Sequence, residues 1–240
     1  LVDRLRLSLE HERRFTADAA HELRHPLAAL RLELDLAGHG DDVPARARHL
    51  QRAQEALDRM QRLVTQLLML ARVEKLVELD DTGSLRLVGV AEAALRDASE
   101  RAAARSIELS LDHDGNDFVL GSRSLLGILV QNLLDNALRH APDHGQVNVR
   151  VGGHDERVTL EVNDNGAGFA ADDTARLGER FHRPEGSVGE GSGLGLSIAQ
   201  AIASLHHGQL TFDRSALGGA RVSLSLPRVA GAAPHVPGYV

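Results

Sequence analysis

Two long apolar stripes in the first third of the chain constrain its fold most. Leu23, Leu27, Leu30 and Leu34 recur at i, i+4, i+7 and i+11, the signature of one buried helical face. The pattern breaks at Gly38-His39-Gly40-Asp41-Asp42-Val43-Pro44 and resumes through Leu50, Ala53, Leu57, Met60, Val64, Leu67 and Ala71. Each helix has one stripe and a charged remainder, so the pair cannot bury its apolar surface alone. A helical hairpin of this kind, over residues 1–78, is expected to dimerise into a four-helix bundle. The plainer alternative is a coiled-coil spacer.

Composition narrows the function classes. Aromatic residues make up 2% of the chain and Trp is absent, so the cores must be built from Leu, Val, Ile and Ala. With no Cys, a disulfide framework and a thiolate zinc site are excluded. A formal charge of -7 argues against a nucleic-acid binder. No run approaches the roughly 20 apolar residues needed to cross a bilayer. The initial Leu1 suggests a fragment whose sensory or membrane part lies upstream. Lys75 is the only lysine, and it lies in neither a Walker A loop nor a eukaryotic-type protein-kinase motif.

Asp80-Asp81-Thr82-Gly83-Ser84 reads as a linker. Beyond it, alternating segments predict strands near 106–111, 118–121, 146–152, 157–163, 209–213 and 221–226. Helical periodicity runs near 90–104, 123–140 and 194–207. The fold class is therefore α+β: a sandwich with a mostly antiparallel sheet over 79–228, following the hairpin. Residues 229–240, rich in Ala, Gly and Pro, read as a disordered tail.

The first helix carries HELRHP, His21 to Pro26. His21-Glu22-Leu23-Arg24-His25 matches H-E-x-x-H, the helical zinc signature of metalloproteases. A metzincin would continue with Gly at 28 and His at 31, where Ala28 and Arg31 stand. Glu55 is the remaining candidate for a third ligand, and Pro26 removes a hydrogen bond from the turn carrying both imidazoles. The competing reading is a nucleophile, His21, beside its base, Glu22.

Four clusters in the second domain carry further chemistry. Asn132 and Asn136, i and i+4, project two amide oxygens from one helical face, hard ligands suited to Mg²⁺, with Arg139 and His140 on the next turn for phosphates. Asp164-Asn165-Gly166-Ala167-Gly168 ends a strand. It is either an acceptor for an exocyclic amine with close backbone approach or a plain Asn-Gly turn, the stronger reading in isolation. Gly189 to Leu196 places glycines ahead of a helix, but its spacing fits neither a dinucleotide fingerprint nor a P-loop. Glu179-Arg180-Phe181-His182-Arg183-Pro184 precedes that loop.

Taken in order, H-E-L-R-x-P-L, N-L-L-x-N-A, D-N-G-x-G, E-R-F-x-R and G-S-G-L-G-L-S-I resemble the H, N, G1, F and G2 boxes of bacterial two-component sensor histidine kinases, over about residues 10–227. RFTADAAHELRHPLAAL and GERFHRPEG are closest to the QseC- and PmrB-like group of transmembrane sensors. The resemblance implies a phosphotransfer hairpin forming a dimeric four-helix bundle, followed by a GHKL (Bergerat-type) ATP-binding sandwich. It implies ATP and Mg²⁺ as ligands, autophosphorylation of His21 with Glu22 as base, and transfer to the receiver domain of a response regulator. Asn132 and Asn136 would hold Mg²⁺, and Asp164 with Gly166 and Gly168 would bind adenine. Arg139, His140 and Arg183 would contact phosphates, and Gly191, Gly193, Leu194 and Gly195 would form the lid loop. The chain would be the cytoplasmic portion of an inner-membrane sensor. His25 departs from the family, which has Thr, Ser or Asn there to orient a water for dephosphorylation. That departure leaves phosphatase activity open.

Overall fold

The computed structural model describes residues 2–39, 43–76, 79, 82–169, 176–182 and 192–229, with side chains from Thr16 onward except that of Lys75. Twelve elements follow one another among these residues: α1 (Val2–His39), α2 (Val43–Lys75), β1 (Gly83–Arg86), α3 (Leu87–Ala104), β2 (Glu108–Asp114), β3 (Phe118–Gly121), α4 (Arg123–His140), β4 (Gln146–His154), β5 (Arg157–Asp164), α5 (Gly195–Leu205), β6 (Gln209–Arg214) and β7 (Ala220–Pro227). They fall into two compact units, Leu1–Met69 and Leu70–Val240. The division lies inside α2, earlier than the 78/79 boundary read from the sequence, because the helix's last turns, with buried Leu70 and Val73, group with the second unit.

In the first unit α1 and α2 form the hairpin. Ala37 on α1 and Ala53, Ala56, Leu63 and Leu67 on α2 are buried. His49 Nδ1 meets Glu33 Oε2 at 2.6 Å and ties the helices together. Four of the eleven stripe residues stay uncovered in the single chain: Leu27 (54%), Leu34 (49%), Leu50 (48%) and Val64 (40%) are exposed. Pro26 sits inside α1 without ending it. Of the break between the helices, Gly40 to Asp42 lie outside the described residues, and Val43-Pro44 already open α2. Proline is tolerated in a first turn, whose N–H groups have no intrahelical acceptor.

The second unit is a two-layer sandwich. Its five-stranded sheet runs β2-β4-β5-β7-β6, with β2 parallel to β4 and the other pairs antiparallel. Alternation sorts the faces: Val147, Val149 and Val151 on β4, Val158, Leu160 and Val162 on β5, and Leu224 and Leu226 on β7 are buried. Helices α3, α4 and α5 cover that face. Helix α4 presents Leu126, Leu129, Val130, Leu133, Leu134 and Ala137, an i, i+3, i+4 stripe repeated over its length. Fully burying one such leucine is worth about 1.5–3 kcal/mol, so this stripe fixes the face of α4 that must point inward.

Two expectations change. Gly83 and Ser84, read as linker, begin β1, which pairs antiparallel with β3 and buries Leu85. Helix α3 starts at Leu87, three residues before the periodicity suggests. Of the tail only Val229 is described, and Asp80 and Asp81 of the linker are outside the described residues.

Candidate functional site: a carboxylate cradle and an exposed histidine

Asp164 ends β5 with its side chain 3% exposed. Its Oδ1 accepts the backbone N–H of Gly166 at 2.8 Å and of Ala220 at 3.1 Å, leaving Oδ2 as an acceptor for a ligand. Burial pushes its carboxyl above the ordinary value, although both N–H donors and the charge of His140 oppose that. Three glycines make room. A Cβ at Gly166 would lie 2.3 Å from the His140 carbonyl oxygen, and one at Gly219 would lie 2.3 Å from Asp164 Oδ1. Gly168 has φ +76°, where a side chain is strained. Asn165-Gly166 turns so that the Gly166 N–H reaches back to the carboxylate.

Helix α4 passes beside this cradle. Asn132 donates its Nδ2 to the Ile128 carbonyl at 2.8 Å, which leaves Oδ1 as the free end of the amide. That oxygen faces the start of α5, since a Cβ at Gly195 would come within 3.1 Å of it. An unengaged amide oxygen is a hard donor and fits a Mg²⁺ ligand; Asn136 lies one turn on, half-buried. Arg139 and His140 are exposed on the last turn. Gly193, at φ +69°, lies against Phe181, whose carbonyl carbon would be 2.7 Å from a Cβ there. Leu194 is fully buried ahead of α5, and its N–H is donated to Ser192 Oγ. Arg183 and Gly191 lie outside the described residues.

In the first unit His21 and His25 are exposed and Glu22 is half-buried. The two imidazoles meet edge to face, with centroids 5.2 Å apart. Among the described residues no three His, Cys, Asp or Glu side chains gather for a metal, so the peptidase reading of HELRH lacks its third ligand; Glu55 instead accepts Gln51 Nε2.

Residues 11–76 match the family described as His Kinase A (phospho-acceptor) domain, and residues 121–230 match the histidine kinase-, DNA gyrase B-, and HSP90-like ATPases. The chain belongs to the sensor histidine kinases. It is 40% identical over 230 residues to the sensor protein kinase PmrB of Pseudomonas aeruginosa, covering 95% of this chain and 48% of that protein. It is 41% identical over 221 residues to the sensor protein QseC of Salmonella typhi, covering 91% and 48%. This histidine kinase therefore spans about half the length of the curated relatives it matches. The solved cytoplasmic segment of histidine kinase QseC superposes with a TM-score of 0.51 at 29% identity, over 72% of this chain and 95% of that one. Among the described residues, no helix of the kinase is long and apolar enough to cross a membrane.

The kinase's nucleotide unit uses residues that motif reading passes over. Gly219 and Ala220 complete the cradle around Asp164; the signal was a Gly-Gly pair opening an alternating strand. Asn165 Oδ1 accepts the Gln146 N–H at 2.9 Å and ties the loop to β4. Arg105, at the end of α3, reaches the carbonyls of Leu138 and Ala141 and the Asp143 carboxylate, fixing the turn that carries Arg139 and His140. A guanidinium there complements the negative end of α4. Nothing local marks Arg105, because its partners lie more than thirty residues away.

Proposed function

We propose that this chain is the kinase core of a two-component sensor. It binds ATP with Mg²⁺ in the second unit, phosphorylates His21, and passes the phosphoryl group to an aspartate of a response-regulator receiver domain. It works as a homodimer through the hairpins and forms the cytoplasmic portion of a membrane sensor. The observation that carries the reading is the Asp164 cradle, a buried carboxylate with one oxygen pinned by two backbone N–H groups and the other available to adenine's amine. Asn132 and Asn136 would hold Mg²⁺, which when bound neutralises phosphate charge as it redistributes. Arg139, His140 and Arg183 would meet the phosphates, and the loop with Gly191, Gly193, Leu194 and Gly195 would close over them. A ring nitrogen of His21 attacks the γ-phosphorus, Glu22 takes the proton from the other ring nitrogen, and the bond to the β-phosphate oxygen breaks to release ADP.

The test is incubation with γ-labelled ATP and Mg²⁺. The protein is expected to acquire acid-labile, base-stable label, and His21→Gln to acquire none while still binding ATP, because acceptor and nucleotide site belong to different units. Label on His21→Gln protein would assign the acceptor elsewhere.

A further inference from the structure

We propose that His21 and His25 form a two-imidazole chelate for a borderline-soft divalent transition-metal ion of the Zn²⁺, Ni²⁺ or Cu²⁺ class, and that the bound ion blocks the acceptor nitrogen of His21. The chelate rests on geometry alone; the block rests additionally on the phosphoacceptor reading of His21.

Residues four apart on a helix are neighbours on one face. Here the pair is realised, with both rings exposed and their centroids 5.2 Å apart. Helix α1 is continuous through the pair and past Pro26, at the loss of one backbone hydrogen bond. Proline lacks the N–H that would reach back to the Glu22 carbonyl, whereas the His25 N–H keeps its acceptor at His21. The contact is edge to face, so rotation of the side chains alone turns one nitrogen of each toward a common ion at about 2.0–2.1 Å. Two protein ligands leave the remaining positions to water. That separates this site from a peptidase zinc, and it agrees with the lack of a three-ligand group among the described residues.

Selectivity follows from ligand type. Imidazole suits Zn²⁺, Ni²⁺ and Cu²⁺, whereas Mg²⁺ demands oxygen, so the Mg²⁺ that accompanies ATP does not compete at these rings. Metal and phosphoryl transfer then compete for the same lone pair. A nitrogen bound to the ion has none to offer phosphorus, and His25, which departs from the family's usual Thr, Ser or Asn, is what makes the second bond.

Zn²⁺ binding by calorimetry without nucleotide, on the parent, His21→Gln and His25→Thr, tests the chelate. The parent is expected to show one site that both variants weaken at least about ten-fold, since even an outer-shell partner of a metal is worth 10–100-fold. Equal Zn²⁺ affinity in all three would overturn the chelate and leave the phosphoacceptor reading untouched. Autophosphorylation under excess Mg²⁺ and ATP, each protein normalised to its own zinc-free rate, tests the block. Zn²⁺ should suppress the parent and spare His25→Thr; equal suppression of both would overturn the block. Label persisting on His21→Gln would sink the phosphoacceptor reading, and the block with it, while the affinities still decide the chelate.

Discussion

The carboxylate of Asp164 is almost wholly buried and carries both backbone hydrogen bonds on one oxygen. Burial is the largest influence on it and holds its carboxyl above the ordinary value of 3.8. A carboxyl raised in the folded state stabilises the fold fully below the unfolded value, and that contribution is lost as pH rises through the folded value. Burial of Asp164 therefore weighs against its charged form in the empty fold. Asp164→Asn is expected to keep an acceptor for the Gly166 and Ala220 N–H groups, remove the buried charge, and turn an N–H₂ toward an amine that needs an acceptor. Nucleotide-free melting at pH 7 should then be unchanged or raised, while ATP affinity falls at least about ten-fold, the cost of leaving buried polar groups unmatched. A melting temperature several degrees lower without nucleotide would contradict this account. The strand end, Gly166 and Gly168 were legible from spacing; Gly219 and the donor on Ala220 were not, because they come from a strand pairing set by the whole sheet.

Helix starts show the same division at the next scale. Helix α4 begins and ends where periodicity places it, at Arg123 and His140, because its apolar stripe is long and regular. Helix α3 begins three residues early because its cap is not local. Arg86 at the N-cap makes no side-chain cap bond, and Asp117, from the loop between β2 and β3, accepts the Val88 N–H at 2.7 Å and Arg86 Nε at 2.9 Å. Burial alone would push Asp117 up. The Val88 N–H, Arg86 and His113 outweigh it, so the carboxyl lies below its ordinary value. A lowered carboxyl contributes stability that is present above the unfolded value and is lost as pH falls through the folded one. Asp117→Ala is expected to cost about 1–2 kcal/mol at pH 7, the range for a lost cap. The gap from the parent in denaturant midpoints should narrow below about pH 4, near the ordinary carboxylate value. A gap of the same size at pH 7 and pH 3 would mean that the loss comes from packing and not from the charge.

At the scale of the molecule, the hairpin is the part whose surface asks for a second copy. Leu34 on α1 and Leu50 on α2 are each about half exposed, and both lie at the end of the hairpin away from His21. Leu34 is about 20 Å along the helix from that histidine at 1.5 Å per residue. About half of each side chain is still to be buried, worth about 1 kcal/mol, and two-fold symmetry presents every site twice. The double change Leu34→Gln, Leu50→Gln should therefore remove about 4 kcal/mol of association, roughly a thousand-fold in Kd. Sedimentation of the parent at micromolar concentration is expected to give a dimer, and the double variant a monomer. Nucleotide affinity should be unchanged in the variant, since the second unit has its own core. A parent that sediments as a monomer would reject the homodimer, and a dimeric double variant would move its seam to another face of the hairpin.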